Sequence, residues 1–80
     1  MKTLYDVQQL LKKFGVYVYV GKRIWDIELM AIEVDHLYQA GVIDAKMYAR
    51  VKVVLSHEHR LEAERAQAKA AHNQNDGGIL

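Results

Sequence analysis

The stretch Val16-Tyr17-Val18-Tyr19-Val20-Gly21-Lys22-Arg23-Ile24-Trp25 decides how this chain folds. Its alternation of valine with tyrosine is the pattern of an extended segment, and Gly15 and Gly21 bracket it. A lone strand has nothing to pair with, and nothing else in the 80 residues reads as a second one. The run is therefore either an extended linker packed on helices or an edge strand pairing across a dimer, with the linker favoured. Alternation puts Val16, Val18 and Val20 on one side and Tyr17 and Tyr19 on the other. Which set is buried stays open at this level.

On the N-terminal side, Thr3 and Asp6 stand in capping-box spacing, so a helix should begin at about Leu4. Leu4, Val7, Leu10, Leu11 and Phe14 then recur on one helical face, while Gln8, Gln9, Lys12 and Lys13 share the other. Gly15 suits the position just past the helix end, and the lysines before it complement the C-terminal dipole. On the C-terminal side, a second helix should start between Lys22 and Asp26 and run to Ala40, with Asp26 and Glu28 in its first turn. Its apolar stripe is Ile24, Ile27, Met30, Ala31, Val34, Leu37 and Tyr38, and Gly41 ends it. The short turn Gly41-Val42-Ile43-Asp44 makes the next helix an antiparallel neighbour, with Asp44 as its N-cap. That third helix carries Met47, Tyr48, Val51, Val54, Leu55, Glu58 and Leu61 on one stripe; beyond Leu61 only Ala63, Ala66 and Ala70 keep the spacing. From Ala45 to about His72 it is much longer than the second helix, so its last third projects, frays or packs on another chain. The segment Asn73-Gln74-Asn75-Asp76-Gly77-Gly78 reads as the start of a disordered tail. The expectation is an all-α fold. It is a three-helix bundle with an extended linker between helices 1 and 2 and a long third helix, as one helical domain over 1–72 with a disordered tail over 73–80.

A chain of this length forms one small domain with a thin core. The absence of cysteine removes disulfides and thiolate metal sites, and suits a reducing compartment. The N-terminal residues do not read as a secretion signal, and no run approaches the length of a membrane helix. A cytoplasmic location is expected, with no membrane association. Net charge is only +1, but it is unevenly spread. Lys2, Lys12, Lys13, Lys22 and Arg23 against Asp6 leave residues 1–25 at +4. Residues 26–44 stand at −5, and residues 45–80 at +2. Either the signs compensate within the bundle, or part of the N-terminal charge faces outward toward an anionic partner.

No arrangement of side chains reads as catalytic. Ser56 is the only serine and sits mid-helix; the carboxylates have no nucleophile beside them. His57 and His59, two apart on a helix, point about 200° away from each other and cannot close on one ion. Neither a catalytic residue, a metal nor a cofactor is expected. Gly21-Lys22-Arg23 ahead of a helix could hold a phosphate, although Asp26 and Glu28 in the first turn would satisfy that end themselves. Phe14, Tyr38 and Tyr48 fall on apolar faces and read as core. If the valines of the linker face in, Tyr17 and Tyr19 stand out beside Lys22 and Arg23, where they can stack on bases; if the tyrosines face in, that site disappears.

Tyr5-Asp6-Val7-Gln8-Gln9-Leu10-Leu11, Phe14-Gly15, Tyr19-x-Gly21-x-Arg23, Asp26-Ile27-Glu28-Leu29-Met30 and Leu37-Tyr38 together resemble the YqgQ-like family over roughly residues 3–62. This is a group of small cytosolic proteins from Gram-positive bacteria without an assigned enzymatic role. The alanine-rich stretch after Leu61 departs from it. The resemblance implies a three-helix bundle and a proposed capacity to bind single-stranded nucleic acid. By position, it points to Lys12, Lys13, Lys22 and Arg23, with Tyr19 and Trp25 as stacking partners. The expected function is thus a small non-catalytic protein that binds single-stranded RNA or DNA. Lys12, Lys13, Lys22 and Arg23 would contact phosphates and Tyr17, Tyr19 and Trp25 would stack, with binding that falls steeply with salt. The alternative is a protein–protein adaptor or homo-oligomer that uses the projecting third helix or linker edge pairing.

Overall fold

A computed structural model describes the backbone of residues 1–78 and the side chains of residues 1–68. Three helices follow in order: α1 (Leu4–Lys13), α2 (Arg23–Gln39) and α3 (Ala45–Gly78). No strand occurs among the described residues. The tail expected over 73–80 lies outside the described side chains.

Each helix boundary has a local cause. At the start of α1, Thr3 Oγ1 accepts from the Asp6 N–H, and Asp6 Oδ2 accepts from the N–H groups of Thr3 (3.1 Å) and Lys2 (2.9 Å). Those backbone donors favour the charged carboxylate and hold the Asp6 pKa below its ordinary value. At its end, Gly15 adopts φ +77° while Val16 N–H reaches back to Leu11 O and Gly15 N–H to Lys12 O. The end of α2 repeats this, with Gly41 at φ +75°, Val42 N–H on Leu37 O and Gly41 N–H on Tyr38 O. Both are Schellman closures, whose left-handed residue strongly favours glycine. Asp44 Oδ1 then accepts from Met47 N–H at 2.8 Å and opens α3.

The core is built from one stripe of each helix. Leu4, Val7 and Leu11 of α1 meet Ile27, Met30 and Val34 of α2, and Val51, Val54 and Leu55 of α3; Ile43 closes the turn. Helices α2 and α3 form the main packed pair, and α1 lies against both. At 1.5 Å per residue α3 is about 51 Å long and α2 about 25 Å, so α3 outruns its partner. Helical propensity, alanine spacing and the lack of proline let it continue where burial has stopped.

Two expected core aromatics sit elsewhere. Phe14 is the C-cap of α1 and 41% exposed, because the chain turns away at Gly15 before any element covers the ring. Tyr38 is also partly exposed; its ring stacks on Tyr48 with centroids 4.2 Å apart and planes 9° from parallel. Tyr48 is half-buried and donates its hydroxyl to Asp35 Oδ1 at 2.7 Å, where Lys52 Nζ also approaches to 3.3 Å. Its hydrogen bond, ahead of Lys52, holds the Asp35 carboxyl below its ordinary pKa, and the same bond pushes the Tyr48 phenol up.

Candidate nucleic-acid interface

The linker between α1 and α2 is extended and packed, and the valines decide its orientation. Val16 and Val18 press on the core, while Tyr17 and Tyr19 are 74% and 85% exposed. Val20 breaks the alternation and is also exposed, since the chain bends at Gly21 (φ +103°) into α2. Two side chains fasten the linker. Gln8 Nε2 donates to Val18 O at 3.4 Å, and Asp26 Oδ1 accepts from Val20 N–H at 2.5 Å. Both bonds lie on the same edge of the linker, the one carrying the backbone groups of Val18 and Val20.

Asp26 is therefore not an exposed acid in the first turn of α2. It is buried, at 7% exposure, and its carboxylate anchors the linker. Glu28 does not cap that turn either: its Oε1 lies 3.2 Å from His59 Nε2 on α3. The N-cap, Lys22, makes no side-chain cap bond. His57 turns instead toward Arg60, and the described residues hold no group of three or more potential metal ligands.

The linker runs back along α1, which sorts its neighbours. A cleft of about 370 Å³ is lined by Leu11, Lys12 and Gln8 on one side and by Tyr17, Val18 and Tyr19 on the other. Nearer the start of α1, Tyr19 shares a second cleft with Tyr5, Gln8, Arg23 and Asp26. On the opposite flank, the linker faces Leu29 and Glu33 of α2. Leu29 is exposed and lies one helical turn from Trp25, itself 51% exposed, with Lys22 Nζ 4.9 Å from the ring centroid. Exposed apolar and aromatic side chains thus run from Tyr17 and Tyr19 toward Leu29 and Trp25, with Lys12 at one end, Lys22 at the other and Glu33 between linker and α2.

The seven residues singled out from sequence are placed unequally. Lys12, Tyr17 and Tyr19 line one cleft, and Lys22 with Trp25 forms a neighbouring patch. Lys13 is exposed at the end of α1, about 100° round the helix from Lys12. Arg23 is drawn the other way: its guanidinium meets Glu58 at 3.2 Å and Glu62 at 3.7 Å on α3. Two carboxylates already neutralise the cation expected to hold a phosphate. Tyr5, 65% exposed, and Gln8 are the residues that sequence reasoning passed over. Their positions at i and i+3 on α1, with Lys12 at i+7, mark one stripe, but only the returning linker shows that this stripe lines a cleft.

The model of the YqgQ-like family matches residues 1–61, which span the three-helix core and every residue of this surface. The chain belongs to the YqgQ-like family. It is 48% identical over 58 residues to a protein of Bacillus subtilis (strain 168) named "Uncharacterized protein YqgQ", a match covering 72% of this chain and 82% of the relative. The YqgQ-like region stops near Leu61, where large apolar residues leave the α3 stripe. No helix among the described residues is long and apolar enough to cross a membrane.

Proposed function

We propose that this YqgQ-like chain is a small non-catalytic cytoplasmic protein that binds single-stranded RNA or DNA on the face formed by α1 and the linker. The supporting observation is that Tyr17 and Tyr19 stand 74% and 85% exposed while Val16 and Val18 pack inward. Extended tyrosines keep their faces free for bases, and stacking is sequence-tolerant because every base has a π-face. Charge favours the α1 flank for the backbone, because Lys12 lines that cleft whereas Glu33 lines the cleft toward α2. With Arg23 held by Glu58 and Glu62, Lys12, Lys13 and Lys22 remain to meet phosphates.

This arrangement rests more on stacking than on charge. About two phosphates contacted would give a log–log salt slope near −1.4, shallower than the five N-terminal cations suggest. Titrating a labelled ten-nucleotide single strand at 50 and 200 mM salt should show binding at both and a modest loss between them. No binding at 50 mM salt would refute the reading.

A protein partner or second copy is the other reading, and Trp25, Leu29 and Ile32 favour it. They are exposed at i, i+4 and i+7 on α2, an apolar ridge suited to another helix. Sedimentation velocity of the full chain separates the two: a concentration-dependent dimer lost on Leu29→Glu would support self-association through this ridge.

A further inference from the structure

Resting on the nucleic-acid reading above, we propose that the cleft between the start of α1, the end of the linker and the first turn of α2 is a pocket for one guanine base. The cleft measures about 520 Å³, within the range of small-ligand sites and ample for a base with its sugar. Two rings stand at it, Tyr5 and Tyr19, both exposed and both on elements fixed by the core. Three polar residues of different character line the same cleft: Asp26, Arg23 and Gln8.

Asp26 and Arg23 select among the bases. Asp26 is buried and its Oδ1 is taken by Val20 N–H. No fully buried side-chain oxygen among the described residues lacks a partner, so Oδ2, which makes no hydrogen bond there, keeps some exposure, and Asp26 lines the cleft. A carboxylate only accepts, so it calls for adjacent donors on the ligand edge. Guanine presents two, N1–H and the 2-amino group, whereas uracil and thymine flank their single N–H with carbonyls that a carboxylate repels. Arg23 only donates, and guanine carries the matching acceptors, O6 and N7. Glu58 and Glu62 engage its Nη2 and Nε, which fixes the guanidinium in place and leaves Nη1 free among the described contacts. An edge with both donors and acceptors, on a ring that can stack on Tyr5 or Tyr19, is what this constellation fits. The same chemistry would take a free guanine nucleotide or a guanine within a strand.

The test titrates the full chain with a labelled U10 strand, the same strand carrying one central G or one central inosine, and unlabelled GMP as competitor. One G in place of U should tighten binding about tenfold, and inosine, which lacks the 2-amino group, should lose most of that gain. Asp26→Asn keeps an oxygen for Val20 N–H but presents a neutral amide; it should bring the affinity for the G strand down to that for U10, and the ratio of the two affinities reads the pocket because Asp26 also anchors the linker. Equal affinity for the U and G strands overturns the pocket alone and leaves the single-strand reading standing. GMP binding without any strand binding supports the pocket and overturns the strand reading. Binding to none of the probes overturns both.

Discussion

At the residue scale, the linker tyrosines and the Asp35–Tyr48 pair make separable statements. Tyr17 and Tyr19 touch little of the core, so Tyr19→Ala should leave the melting temperature within about a degree while weakening single-strand binding by about 1–3 kcal/mol. Calorimetry beside fluorescence anisotropy checks both halves. The Asp35–Tyr48 bond acts on stability instead. Asp35 has a folded pKa below its unfolded value, so its contribution is complete above the ordinary carboxylate range and fades as pH falls through the lowered value. Tyr48 has a folded pKa above its unfolded value, so its contribution is complete below about pH 10 and fades as pH rises through the raised value. Urea midpoints across pH should form a plateau with losses at both ends, and Tyr48→Phe should remove the alkaline loss. Asp6, held low by the Lys2 and Thr3 amides, adds to the acid side only. Single residues were also where the sequence misled. Asp26 has the composition and position of a first-turn acid, and only the return of Val20 to within reach shows why it is buried. The partners of Arg23 lie 35 and 39 residues along the chain, a separation that no local pattern encodes.

At the element scale, nearly every boundary could be read from the sequence, because each has a cause within four residues. The capping box at Thr3–Asp6, the glycines after α1 and α2, and the Asp44 cap all act locally, and all are where their residue types predict. The linker could be read only in part: valine–tyrosine alternation fixed the two faces but not which one meets the core, since both residue types are apolar enough to be buried. Phe14 failed for a related reason, because helical phase ends with the helix and the C-cap residue leaves the stripe. The closures carry a quantitative expectation. A Cβ at Gly41 meets no neighbour within 4 Å, so the cost of Gly41→Ala is backbone strain at φ +75° alone. Chemical denaturation should show a loss of about 1–2 kcal/mol, with unchanged single-strand binding.

At the scale of the whole molecule, one thin core holds three helices and a linker, so a single fully buried residue matters to all of it. Met30 is at the centre, 0% exposed, and Met30→Ala should lower the unfolding free energy by about 2–5 kcal/mol in urea. The surface follows from the same packing. By burying Val16 and Val18, the core turns two tyrosines outward, and by running past α2, α3 brings Glu58 and Glu62 to Arg23. The candidate interface was thus half legible: its residue types stand in one ten-residue stretch, but their division between free and neutralised cations depends on α3. Arg23 is about half exposed, so its pairs with Glu58 and Glu62 are largely screened by solvent, and Glu58→Gln with Glu62→Gln should leave the fold intact. It should also steepen the salt slope of binding by about 0.7 as Arg23 becomes free to meet a phosphate.

The most direct test of a stacking surface on the linker is anisotropy titration of a labelled ten-nucleotide single strand into the parent chain and the Tyr17→Ala/Tyr19→Ala double variant at 50 mM salt. The parent should bind, and the folded double variant should bind at least about thirtyfold more weakly. Equal affinities for the two proteins would contradict the account.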